Sequence, residues 1–247
     1  MPAITSSQNP TVKLIRSLAE KKYRQETGLF VAEGWDMLDR ARRESWVPEH
    51  LLSTLPISDW GEVKPIYVTD KIMEGLSGQN NPHTALATFR QRYVEPALQG
   101  VWVALEDMRD PGNLGTIIRT SDAVGASGII VLGQSCDPYS RECVRASTGS
   151  IFGMSIAHME TAAFIAMGKH WRGDVVGTHL TATDDFRRSY NLSTLLVMGS
   201  EGRGLSEEVT EACKTLVRIP MAGGAESLNV ATATALMLYE IRKPELK

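Results

Sequence analysis

From Val101 onward the chain alternates short apolar runs with helical patterns, and no other feature narrows its fold as much. The runs at 101–105, 128–132, 174–178, 195–198 and 216–219 have strand length and little polar content. Helical patterns separate them at about 113–124, around Glu142, at about 161–171, at 207–213 and at about 228–242. Strands apolar on both faces and alternating with helices make a parallel sheet covered on both sides. The expected class is α/β.

The first 95 or so residues read as a smaller α/β unit. Asn9 and Pro10 make a turn, and a basic helix is expected from Thr11 to Arg24, with Leu14, Ile15 and Leu18 as its apolar stripe. Strands are expected at 28–32, 65–68 and 85–89, and a helix from Trp35 to Arg43. Residues 91–100, containing Pro96 and Gly100, read as a linker. A length of 247 residues suits one to two domains with a core that needs no disulfide staples. The expected division is 1–95 and 96–247.

A composition of 43% hydrophobic and 22% charged residues excludes a disordered chain, a collagen repeat and a coiled-coil rod. No apolar run reaches the ~18–20 residues that span a bilayer, and the N-terminus lacks a signal core. The three cysteines form no C-x-x-C pair and the five histidines no H-E-x-x-H, so neither a disulfide framework nor a metal site is expected. A cytoplasmic protein without membrane or metal is the expectation. The net charge of −3 hides an asymmetry. Residues 1–25 set Lys13, Arg16, Lys21, Lys22 and Arg24 against Glu20, a local charge of +4 on an otherwise acidic body. Arg141 and Arg145 add a basic pair at i, i+4 spacing. These seven are the candidates for contact with nucleic acid.

In parallel α/β sheets ligands sit beyond the carboxyl ends of the strands, and three such loops are rich in glycine and polar residues. The first, at 106–120, holds a Pro-Gly turn and Asn113, which suits a helix start; Arg119 lies off the inward stripe of Leu114, Ile117, Ile118 and Ser121. The second, at 198–206, brings glycines that let backbone approach a ligand, yet matches neither G-x-G-x-x-G nor a P-loop. In the third, at 219–230, Ser227 suits the cap of the last helix and Asn229 its first turn. Each loop alone also reads as an ordinary solvated turn. The last helix carries no charge from Val230 to Tyr239, so burial on its own sheet and against a second copy is expected.

Taken together, the strings DPGNLGTIIRT at 110–120, MGSEG at 198–202, IPM at 219–221 and SLNV at 227–230 resemble the SpoU/TrmH branch of the SPOUT RNA methyltransferases, in the family's order and spacing. The segment RASTGSIF at 145–152 is similar to a further family segment. Residues 4–10 and GLFVAEG at 28–34 resemble the L30e-like substrate-binding domain attached to many members.

The resemblance implies a parallel-sheet SPOUT domain with a C-terminal deep trefoil knot, formed by the second and third loops. It implies a homodimer with a shared site, S-adenosylmethionine as methyl donor, and methyl transfer to a ribose 2′-hydroxyl of RNA, 23S ribosomal RNA above tRNA. Carried over, the cofactor contacts fall at Thr178, Gly199, Ile219, Met221 and Leu228. Arg119 is the catalytic arginine, with Asn113, Glu201, Ser227 and Asn229 as the surrounding hydrogen-bond frame. A guanidinium ordinarily keeps its proton near neutral pH, so the expected role is to orient the ribose and phosphate and to stabilise the developing alkoxide. Two departures stand out: Ala231 where many members have serine, and the segment 81–84, NPHT, in place of a Pro-Gln-Gly type string. A non-catalytic RNA-binding or ribosome-assembly factor on the same scaffold and a tRNA methyltransferase remain the alternatives. The missing G-x-G-x-x-G stands against a nucleotide-dependent oxidoreductase.

Overall fold

A computed structural model describes residues 3–57, 60–61, 63–79, 81–200 and 202–246. Along the chain come α1 (Pro10–Ser17), α2 (Lys21–Thr27), β1 (Leu29–Glu33), α3 (Trp35–Arg43), β2 (His50–Ser53), β3 (Ile66–Tyr67), α4 (Asp70–Leu76) and β4 (Ala85–Arg90). There follow β5 (Trp102–Glu106), α5 (Pro111–Ala123), β6 (Gly128–Leu132), α6 (Arg141–Ala146), β7 (Ser155–Met159), α7 (Thr161–Gly168) and β8 (Asp174–Thr178). The chain continues with β9 (Asp184–Asp185), β10 (Thr194–Met198), α8 (Glu207–Ala212), β11 (Thr215–Arg218) and α9 (Val230–Arg242). Two compact units form: residues 1–92 with 137–153, and residues 93–136 with 154–247. Unlike a single cut near residue 95, this division returns 137–153 to the first unit.

The first unit holds a sheet in the order β1-β4-β2-β3, with β4 antiparallel to both β1 and β2. Val12, Ile15, Leu18, Val31, Leu52, Ile72, Leu76 and Leu86 form one core against it. The basic stretch expected as one helix from Thr11 to Arg24 breaks at Leu18–Glu20 into α1 and α2. The break is stabilised by Arg24, whose guanidinium donates to the Leu18 and Ala19 carbonyls at 2.9 Å each. Phe30, Trp46, Phe89, Tyr139 and Phe152 pack as an aromatic cluster, with edge-on pairs such as Phe89 and Phe152 at 4.9 Å between centroids. Through Tyr139 and Phe152 this cluster holds 137–153 in the first unit.

The second unit is a wholly parallel sheet in the order β7-β6-β5-β10-β8-β11-β9. Every residue of β5, β6 and β10 is buried, as the unbroken apolar runs require. Trp102, Ile130, Val175, Leu195 and Val197 join Phe164 of α7 and Val209 of α8 in one core, while α5 packs against α9. The helix expected to run to Trp171 stops at Gly168.

Candidate functional site

Strand order fixes where the three loops emerge. β10, β8 and β11 are neighbours, and the register sets Val197 beside Gly177 and Val217 beside Thr178. Thr178, Gly199 and Ile219, at or just past the ends of these strands, therefore stand at one edge of the sheet. The Thr178 hydroxyl reaches Met198 Sδ at 3.5 Å. The loop after β10 doubles back: Gly204 N–H donates to the Ser200 carbonyl at 3.0 Å. Gly199 has to be glycine there, because a Cβ would lie 2.1 Å from the Gly204 carbonyl carbon. Residues 221–229 are all exposed, including the apolar Met221 and Leu228.

Capping differs from the sequence reading at both helices. Asp110, not Asn113, caps α5: its Oδ1 accepts from Asn113 N–H at 2.7 Å. Asn229, not Ser227, caps α9, with its Oδ1 accepting from Ala231 N–H at 2.9 Å and Thr232 N–H at 3.3 Å. Proline at the first position of α5 sets its start one residue after Asp110. In α9 the side chain with the cap geometry lies two residues beyond Ser227, which is exposed. Freed from capping, the Asn113 side-chain carbonyl accepts from Asn229 Nδ2 at 3.1 Å. This bond closes the first loop onto the third across 116 positions in sequence. Arg119, two turns further along α5, is exposed beside Thr116, with no ion pair among the described residues. Glu201 lies outside the described residues.

Sequence reasoning gave Glu106 no role. At the end of β5 it is 6% exposed, and its carboxylate accepts from Ser206 N–H at 2.8 Å and from Ser206 Oγ at 2.6 Å. It thus ties the end of β5 to the start of α8 and anchors the far side of the second loop. A carboxylate ending an otherwise apolar strand was the available signal. Nearby, burial pushes the Cys213 thiol up to about 12, with Glu106 adding to the effect.

The seven basic candidates divide. Lys13, Arg16, Lys21, Lys22 and Arg145 are exposed. Arg24 is 4% exposed and its Nε donates to Asp137 Oδ2 at 2.7 Å. Arg141 donates to the Leu76 and Ile15 carbonyls and lies 3.8 Å from Glu33. These two arginines are engaged inside the first unit, because 137–153 folds onto α1, α2 and β1. No group of three or more metal-ligating side chains and no helix long and apolar enough to cross a membrane occurs among the described residues.

Comparison with known proteins places these features in context. The model of the SpoU rRNA Methylase family matches residues 100–239, and that of the MRM3-like substrate binding domain matches residues 9–87. An uncharacterized tRNA/rRNA methyltransferase of Synechocystis sp. is 32% identical over 98% of this chain and 94% of its own length. A 23S rRNA (guanosine(2553)-2′-O)-methyltransferase of Bacillus subtilis is 26% identical over 98% of this chain and 100% of its own. The crystal structure of an AdoMet-bound rRNA methyltransferase from Sinorhizobium meliloti superposes with a TM-score of 0.91 at 39% identity, covering 100% of this chain and 99% of that one.

Proposed function

The chain belongs to the SpoU rRNA methylase family, and on that footing we propose that it transfers the methyl group of S-adenosylmethionine to a ribose 2′-hydroxyl of ribosomal RNA in the cytoplasm. The observation that carries the reading is the Asn229–Asn113 bond, which gathers the first and third loops around the helix bearing exposed Arg119.

The residues present suit the methyl donor. Thr178, Gly199 and Ile219 offer backbone groups at three adjacent strand ends, and exposed Met221 and Leu228 offer apolar surface for an adenosine. When bound, S-adenosylmethionine supplies an electrophilic methyl on a sulfonium. The protein's own task is to hold the ribose in line and to favour loss of the 2′-hydroxyl proton. Arg119 is assigned to both by charge: its guanidinium orients the phosphate and stabilises the oxygen as negative charge develops. Asn113 and Asn229 hold the loops that present it, and Glu201 and Ser227 complete the polar frame. The knot expected for the second and third loops belongs to the same reading.

Residues 1–95, with 137–153 of the same unit, are assigned to RNA capture and the rest of 96–247 to methyl transfer, with the exposed cations Lys13, Arg16, Lys21, Lys22 and Arg145 meeting phosphates. A second copy covers α9, where Leu236 is 40% and Tyr239 53% exposed on a helix that carries no charge to that point. The test is transfer of labelled methyl to 23S rRNA and to tRNA, with the 2′-O-methyl positions mapped afterwards. A single new 2′-O-methyl site in 23S rRNA is expected; label on a base, or no label on either RNA, overturns the reading.

A further inference from the structure

The sequence motif GLFVAEG at 28–34 ends in two residues, Glu33 and Gly34, that the methyl-transfer chemistry leaves without a task. Both line a cavity of about 580 Å³ built wholly from the first unit. That is within the roughly 300–1,000 Å³ of small-ligand sites. Its floor is apolar, from Val31 of β1 and Val144 of α6. Trp35 and His83 form its walls, and Met37 lies beside them. The Trp35 ring is fixed by its Nε1–H, which donates to Thr84 Oγ1 at 3.0 Å. Gly34 takes φ +93°, and a Cβ there would stand 3.1 Å from the His83 imidazole, so glycine is what lets that ring lie on the backbone. His83 sits in the 81–84 segment, where the chain departs from the family's usual string.

The polar groups leave one oxygen of the Glu33 carboxylate lightly engaged. Glu33 Oε2 already accepts from Ser77 Oγ at 2.7 Å and Gln79 Nε2 at 3.2 Å. Among the described residues, Glu33 Oε1 has the long approach of Arg141 at 3.8 Å and no hydrogen-bond donor. Arg141 is itself pinned by the Leu76 and Ile15 carbonyls, so the carboxylate is held rather than mobile. At the rim, the exposed Arg145 guanidinium has no partner among the described residues. Asp36 and Glu142 add carboxylates to the lining beside Arg141 and Arg145; the apolar floor, aromatic walls, fixed Glu33 acceptor and the Arg145 guanidinium match a flat heterocycle with donor groups on one edge and an anionic tail.

We propose that this cavity takes one unstacked nucleotide of the RNA substrate, its base between Trp35 and His83, its donor edge on Glu33 and its phosphate on Arg145. Unpaired bases are commonly recognised by such stacking combined with hydrogen bonds to their edges. Guanine, whose adjacent N1–H and N2–H can converge on the one remaining oxygen, is the favoured base; uracil, whose single N–H is flanked by carbonyls, is disfavoured by the carboxylate. None of the lining residues belongs to the three loops of the methyl-transfer site, so this nucleotide is read in addition to the one modified. The inference rests on the RNA-methylating reading of the chain.

The test uses the full chain with its Met methyl groups labelled for NMR, Met37 being assigned by a Met37→Leu variant. Titration with 5′-GMP and with 5′-UMP is expected to move the Met37 signal with at least fivefold tighter binding of GMP. Arg145→Ala and His83→Ala, both at exposed positions, are expected to weaken GMP binding three- to tenfold each, and His83→Ala to raise KM for RNA more than it lowers kcat. Equal effects of GMP and UMP, a motionless Met37 signal, or unaltered binding in both variants overturns the proposal. Methyl transfer by the wild-type chain is measured in parallel. Transfer without GMP selectivity overturns the cavity assignment alone, whereas GMP-selective binding without transfer supports the cavity and overturns the proposed activity.

Discussion

Arg24 in the first unit and Arg119 in the second are the same residue type in opposite settings. Arg24 is buried, with Asp137 and two backbone carbonyls around its guanidinium. Arg119 is exposed on the outer face of a helix whose inner face, Leu114, Ile117 and Ile118, is fully buried. The first unit is a short mixed sheet that turns two of its arginines, Arg24 and Arg141, inward, to close the α1–α2 turn and to retain 137–153. The second unit is a parallel sheet whose core is apolar on both faces, so polar side chains collect beyond the strand ends. A charge stabilises the fold where a chain segment converges on it, and stays open to solvent where none does.

Removing Arg24 sharpens the contrast most. Arg24→Ala leaves Asp137 as an unpaired buried carboxylate and is expected to cost about 3–5 kcal/mol in urea unfolding. A loss under about 1 kcal/mol would break the comparison. Arg119→Ala is expected to lower methyl transfer by about 10²–10³-fold, with stability changed by less than about 0.5 kcal/mol and S-adenosylhomocysteine binding retained. Transfer within a few fold of wild type refutes its role. Asn229→Ala removes the α9 cap for about 1 kcal/mol and also the bridge to Asn113, so transfer should drop by more than the small stability loss explains; calorimetry and kinetics on one preparation separate the two. Tyr239→Glu, on the exposed face of α9, is expected to halve the mass in sedimentation, and an unchanged mass removes the proposed second copy from that face. The smallest effect is at Cys213. Its thiol, pushed up to about 12 by burial, stays protonated in the folded chain while the unfolded thiol ionises near 9. Folded protein at pH 8.5 should therefore take up the same fast alkylation label in wild type and Cys213→Ser, and stability should fall as pH rises from about 9 towards 12.

Much of the second unit was legible because its strands are long enough to show a period. The runs 128–132 and 174–178 are β6 and β8 to the residue. β2 has four residues and β9 two, too few to carry a pattern, and α4 and β7 were not expected, whereas β3 falls inside the strand expected at 65–68. The site was legible as three loops, since glycine, asparagine and proline mark strand-to-helix turns locally. Which asparagine caps and which bridges was not legible: Asn113 and Asn229 both look like helix starts, and the outcome depends on where Pro111 sets α5 and where β11 delivers the third loop.

The amino-acid order by itself determined the alternation of strands and helices, the inward stripe of α5, the exposure of Arg119 and the positions of the polar loops. These follow from side-chain spacing along one element, which is a local property. Tertiary structure alone decided that α1 and α2 part at Leu18–Glu20, that 137–153 joins the first unit, that Arg24 and Arg141 face inward, that Asn229 meets Asn113, and that Glu33 lines a cavity. Most of these depend on segments 65 to 126 residues apart converging, and burying a charge is favourable only where such convergence brings its partner.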